Sequence, residues 1–279
     1  SLFEGGRLHM RKYLNLLNIL IVVCIFVVSA KTTNAVFVDV PSNATYFSAI
    51  ERISKLNIVN GDGNGNFRPN GLITREQFAK VIIKAAGLEQ EASSNDGITV
   101  FQDVDKNSWS NKYIKCVYEK GYMRGVSSNL FDCAGSVTFG QACTILVKAL
   151  GEQNLEGIWP SNYIKKAEEL GLIENLNFMG ISELPRWAVV SMLDKFWIKN
   201  AKQNDFKNLS SEVENLAFNC IVTGNTDTTS NIAENQILTD KGAFYLNKTQ
   251  SMKLGYKYKI AVYDNIIIKV YEELSSIDC

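Results

Sequence analysis

The chain has 279 residues, 10% of them aromatic, and equal numbers of acidic and basic side chains, for a formal net charge of zero. With no basic run, it excludes a polyanion-coating protein, and no nucleic-acid partner is expected. The single histidine is His9, ahead of the start expected at Met10; a mature chain without it cannot build a Ser-His or Cys-His nucleophile and lacks the commonest zinc ligand.

Residues 1–35 read as a leader and signal peptide with Met10 as the start. Glu4-Gly5-Gly6 is what a purine-rich ribosome-binding site gives when translated. Arg11 and Lys12 form a charged region, Leu14 to Val28 is mostly apolar, and small residues follow to Ala30 and Ala35, the two expected cleavage points. The apolar run is short for a membrane span of about 20 residues. The membrane is therefore expected to enter only through this segment.

From Phe37 the sequence repeats. A shift of 64 residues carries Phe37-Val38-Asp39-Val40 onto Phe101-Gln102-Asp103-Val104. The same shift sets Gly61 on Gly125, Phe67 on Phe131 and Thr74 on Thr138. Each copy reads as helix, loop, helix. Ile50, Ile53, Leu56 and Ile58 form the apolar face of the first helix, and Phe78, Val81, Ile82 and Ala85 that of the second. Thr74 is placed to cap the second helix with Gln77 as its capping-box partner, and Ile73 and Phe78 suit a hydrophobic staple. Arg75 puts a cation in the first turn, against the helix dipole. In the second copy Phe139 and Gly140 stand where the first has Arg75 and Glu76. A third copy begins at Trp159-Pro160, repeating the helix start at Trp109, and ends at Pro185-Arg186-Trp187, which recovers the cation.

These motifs resemble the S-layer homology module of bacterial surface proteins. Its pattern is Phe-x-Asp-Val, a helix ending in a glycine loop, Phe-x-Pro, then Ile-Thr-Arg-Ala-Glu. Here Ile73-Thr74-Arg75-Glu76 lacks the alanine. The resemblance implies a pseudo-threefold helical bundle with grooves between adjacent copies, at residues 37–88, 101–151 and 157–199 of a domain spanning 36–199. It also implies non-covalent anchoring to a secondary cell-wall polysaccharide, often one carrying pyruvate ketals, at the surface of a Gram-positive bacterium. A carboxylate on such a sugar suits the planar fork of arginine. The residues expected at the polymer are Thr74, Arg75, Glu76, Arg186, Trp109, Trp159, Gly61 and Asp39. The tryptophans divide between sugar-stacking and core packing, and Asp39 between ligand contact and loop fixing.

Residues 200–214 are polar without a clear period and read as a linker or a helix tail. Beyond them, strand-like runs at 215–223, 236–239, 243–246, 258–263 and 266–271 are joined by turns at Asp240-Lys-Gly242 and Asp264-Asn265. The expected fold class is therefore α+β: three helix–loop–helix repeats, then a small antiparallel β domain at 215–279, open or closed as a barrel, folding by itself. Such a tail is too small for a usual glycosidase domain, so no enzyme and no cofactor are expected. The alternative function is a scaffold, in which the repeats carry a tail that binds another surface protein through a sheet edge.

The loop Asp62-Gly-Asn-Gly-Asn66 fails the calcium-loop pattern, because positions six and twelve are Phe67 and Ile73 rather than Gly and Glu. No metal site is expected. Five cysteines lie beyond the signal with no C-x-x-C spacing, which leaves their pairing open, although Cys143 reads as a core thiol.

Overall fold

The structure, a computed structural model, describes residues 37–94, 99–207, 209–225, 233–247 and 250–276. The expected leader, signal peptide and cleavage sites lie outside these residues. Helices α1 (Phe47–Lys55), α2 (Arg75–Ala85), the short α3 (Glu89–Ser93), α4 (Asn111–Glu119), α5 (Phe139–Ala149), α6 (Ser161–Glu169) and α7 (Arg186–Gln203) precede five strands. Each copy runs helix–loop–helix, as α1 and α2, α4 and α5, and α6 and α7, but the helices pack across copies: α1 on α7, α2 on α4 and α5 on α6. Thr74 and Thr138 each close a capping box, with Gln77 and Gln141 as partners. Every apolar residue assigned above to the faces of α1 and α2 is buried, and Cys143 is fully so.

A helix start leaves backbone N–H groups without intrahelical partners. Here the neighbouring units supply them in a cycle. Arg75 N donates to Gly135 O, Phe139 N to Ser182 O and Arg186 N to Gly71 O, each at 2.8 Å. Single β-bridges join the same stretches: Thr74 with Ser136, Thr138 with Glu183, and Leu72 with Pro185. Each unit thus caps its second helix on the loop of another.

Residues 200–214, expected as a linker or a helix tail, hold the last turn of α7 and most of a 3₁₀ turn over Ser211–Leu216, fixed by the wholly buried Val213. Strands β1 (Ala217–Gly224), β2 (Gln236–Thr239), β3 (Gly242–Leu246), β4 (Tyr256–Tyr263) and β5 (Ile266–Ser276) close a barrel in the order β1-β2-β3-β5-β4. The turn at Asp264 and Asn265 takes positive φ at both residues, 48° and 61°, as a tight hairpin requires. The expected all-antiparallel sheet is corrected to a mixed one, because β3 and β5 run parallel. Parity explains this: an odd number of strands cannot alternate direction all the way round a closed ring. Closure also removes the free sheet edge that edge-wise docking of a partner strand would use.

Candidate functional site

The loops are shaped from within. Asp39 accepts from the amides of Phe67 and Arg68, both at 2.7 Å, and Asp103 accepts from those of Phe131 and Asp132 at 2.8 and 2.7 Å. Burial works against the charge of Asp103, but these amide bonds prevail and hold it below the usual carboxylate range. Asp39 is therefore a loop-fixing residue with both carboxylate oxygens engaged. Gly61 is required by close approach: a Cβ there would lie 2.5 Å from Asn66 O and 2.5 Å from the Phe37 ring. Gly125 is crowded in the same way by Leu130 O and Phe101.

The helix-start arginines reach across units. Arg75 is 6% exposed. Its Nε donates to Phe131 O at 2.8 Å, its Nη2 to Arg124 O at 2.7 Å, and its guanidinium lies 4.7 Å from the Phe131 ring centre. Arg186 repeats this on the first loop, with Nε to Phe67 O at 3.0 Å, Nη2 to Asn60 O at 2.9 Å, and the Phe67 ring at 4.6 Å. Burial lowers the pKa of both below the usual arginine value. The expectation of two free forks is therefore revised. Each arginine staples the loop that floors a groove, and two of its donors are already committed.

Two grooves follow. The first, about 520 Å³, is lined by Gly61, Arg68, Gln77, Lys80, Trp109 and Arg186, among others. The second, about 280 Å³, is lined by Arg75, Arg124, Gln141, Thr144, Lys148 and Trp159, among others. Trp109 is 49% exposed and Trp159 55%. Lys80 Nζ stands 5.5 Å from the Trp109 ring centre, and Trp159 Nε1 donates to Thr144 Oγ1 at 3.0 Å. Of the eight residues named from sequence, Gly61, Arg75, Trp109, Trp159 and Arg186 line these grooves. Thr74, Glu76 and Asp39 do not; Thr74 is a helix cap and the Glu76 amide donates to Cys133 O at 3.2 Å. Sequence reasoning missed Lys80, Arg124 and Lys148 as groove residues. A signal was available: Arg124 directly precedes the repeated Gly125, where the first copy has Asn60.

The third loop is different. Phe139 takes the arginine's place and packs on Phe178, whose ring meets Trp187, which in turn stacks on Tyr46 at 5.3 Å. A run of aromatic rings thus lies where the other two loops carry a guanidinium. Cys116, Cys133, Cys143 and Cys220 are free thiols, and burial pushes them up to about 11, 11, 12 and 11. They are protonated at neutral pH and poor nucleophiles.

Interlocked helix–loop–helix units, with an exposed indole beside each cationic groove, define a repeat-built binding module. The family model for the S-layer homology domain matches residues 36–79 and 100–143. The chain therefore carries S-layer homology domains, which are wall-anchoring modules, and it is a cell-wall or cell-surface protein. It is 32% identical over 160 residues to a cell surface protein of Thermoanaerobacter kivui, covering 57% of this chain and 21% of that one. It is 31% identical over 164 residues to a surface layer protein of Brevibacillus choshinensis, covering 58% and 14%. A middle cell wall protein of Brevibacillus brevis matches at 31% over 166 residues, covering 59% and 15%. The matches thus span about a fifth or less of these relatives. Enzymes also occur among the relatives; an amylopullulanase of Thermoanaerobacterium thermosulfurigenes is matched over 6% of its length.

Proposed function

We propose that this chain is a non-catalytic anchor whose two open grooves bind a secondary cell-wall polysaccharide. The observation that carries the reading is the pair of half-exposed indoles, Trp109 and Trp159, each at the mouth of a groove with cationic side chains. An indole face beside a cation suits a sugar ring that bears an acidic substituent. The cyclic helix-start contacts support a pseudo-threefold bundle over residues 36–199, with residues 157–199 as a third, drifted S-layer homology copy and the barrel over 215–279 as its passenger. In this reading the loss of arginine at Phe139 disables the third loop and spares the second. The drifted residue lies in the second copy but packs on the third.

The test is co-sedimentation of the full chain with wall sacculi, before and after the polysaccharide is stripped. Retention is expected to need the polymer and to fall at least tenfold in the Trp109→Ala, Trp159→Ala double variant. Retention that survives both stripping and the double substitution would remove the groove reading.

A further inference from the structure

Helix α7 has 18 residues, against 11 in each of α2 and α5. The cycle of backbone contacts ties the three starts in one ring, so α7 runs on past the ends of the other two by about 10 Å, at a rise of about 1.5 Å per residue. The overhang presents Trp197, Asn200, Ala201 and Asn204, which share one helical face at spacings of three and four. That face, the ends of α2 and α5, and the returning chain at Phe206 and Leu209 enclose a recess of about 290 Å³. Small-molecule sites begin at about this size, roughly 300 Å³. The recess is not one of the grooves. Neither helix-start arginine and neither exposed indole lines it, although Tyr122 borders both it and the second groove.

Its floor is rich in acceptors. Both α2 and α5 close on a glycine of positive φ, 74° at Gly87 and 92° at Gly151. Gly87 N donates to Lys84 O and Leu88 N to Ile83 O; Gly151 N donates to Lys148 O and Glu152 N to Val147 O. This closing pattern passes over the last carbonyls. Those of Ala85, Ala86 and Ala149 accept no main-chain hydrogen bond among the described residues, and all three residues line the recess. The two helix C-termini add partial negative charge. The walls are aromatic, with Trp197 buried and Tyr122 and Phe206 half-buried. Lys84 is the one charged side chain in the lining among the described residues. It is paired with Glu89 at 3.6 Å and stands in the field of Glu212 as well.

We infer that this recess is a second ligand site, and that it takes a small organic ammonium ion with a ring or short apolar body. Open carbonyls at helix C-termini attract a cation that donates hydrogen bonds, and aromatic faces hold the same charge. A carboxylate would face the negative ends of those carbonyls, with only an ion-paired lysine to offset them. A neutral alcohol could donate one hydrogen bond but gains less from the dipoles and the rings. The inference stands apart from the anchoring role, since it uses the ends of the helices and the grooves use their starts.

Three probes that share a ring and differ in the end group test it: phenethylammonium, phenethyl alcohol and hydrocinnamate, titrated calorimetrically into the full chain. The ammonium is expected to bind at millimolar concentration or better, the alcohol at least tenfold more weakly and the acid not at all. Lys84→Met removes the one like charge and should tighten the ammonium several-fold. Ala149→Leu fills the recess from the end of α5 and should abolish binding, with thermal melts to check folding. Asn204→Phe fills it from the exposed side and serves if the leucine variant does not fold. The Trp109→Ala, Trp159→Ala double variant should bind the ammonium as the wild type does. Equal binding of the three probes, a preference for the acid, or no binding of the ammonium would overturn the assignment. So would weaker binding in Lys84→Met, binding that survives in a folded recess-filling variant, or binding lost with the two tryptophans. Each of these leaves the anchoring role to be decided by retention on sacculi alone.

Discussion

Gly140 shows why one residue type is needed at the second helical position of α5. A Cβ there would lie 2.6 Å from Pro160 Cβ, 2.8 Å from Pro160 Cγ and 3.0 Å from Gly180 O. The neighbour is partly backbone and a rigid ring, so it yields little. Gly140→Ala is expected to cost about 1–3 kcal/mol, the usual range for overpacking. A denaturant melt measures it, and pairing the change with Pro160→Gly should recover part of the loss in a double-mutant cycle. An unchanged midpoint would mean that the third loop gives way freely. From sequence, this glycine reads only as drift from a glutamate, because the proline that requires it is brought there by packing between units. By contrast, Gly61 and Asp39 were open to reading from the repeat alone. Their partners lie within the same unit, so the 64-residue shift copies the whole contact.

The helix starts couple one element to the next. Arg75→Ala removes the donors to Phe131 O and Arg124 O and leaves a buried carbonyl unpaired. An unsatisfied buried group costs about 1–3 kcal/mol, so a lower melting temperature is expected before any loss of polymer. Amide exchange at Phe131 and Asp132 should also quicken, since their loop loses its staple. Arg75→Lys should restore little, because an ammonium cannot span two carbonyls set for a fork. A variant that melts like the wild type yet fails to bind would return Arg75 to the ligand. The capping boxes at Thr74 and Thr138 were legible because their spacing is local. The destination of each arginine was not, because it depends on the register between units. For the same reason, the parallel contact of β3 with β5 could not be read from strands that individually look antiparallel.

Among the described residues the helices and barrel share a core. Barrel residues Ala261, Tyr263 and Ile268 belong to the same buried cluster as the helices, while Cys220, Val222, Ile237, Phe244, Ile260 and Ile267 belong to a second cluster inside the barrel. At the junction, Asp194 of α7 accepts from Arg52 of α1 and from the Tyr263 hydroxyl of β4, and Tyr263 lies 4.5 Å from Trp197 between ring centres. Burial works against the charge of Arg52, but Asp194 outweighs it and its pKa is raised. Burial, then Asp194, holds the Tyr263 pKa well above the ordinary value. The sequence marked the tail by its change of texture but carried no sign of this junction, whose three polar members are far apart along the chain. The tail's own cluster favours separate folding; the junction favours a joint transition. We expect the junction to prevail, with one cooperative melt for the full chain. Asp194→Ala leaves Arg52 and Tyr263 without their shared partner, and breaking a buried pair costs about 3–5 kcal/mol. It should lower the melt and separate a barrel transition, resolved by calorimetry. Alkali gives an independent handle. A raised folded pKa means that Tyr263 contributes stability that is complete below the unfolded tyrosine value of about 10 and is lost as pH rises towards the folded value. Wild-type stability should therefore fall above pH of about 10 more steeply than that of Tyr263→Phe, which has no proton to lose at this site. Parallel alkaline profiles for the two proteins, together with an unsplit and unshifted melt in Asp194→Ala, would show that the barrel does not depend on the junction.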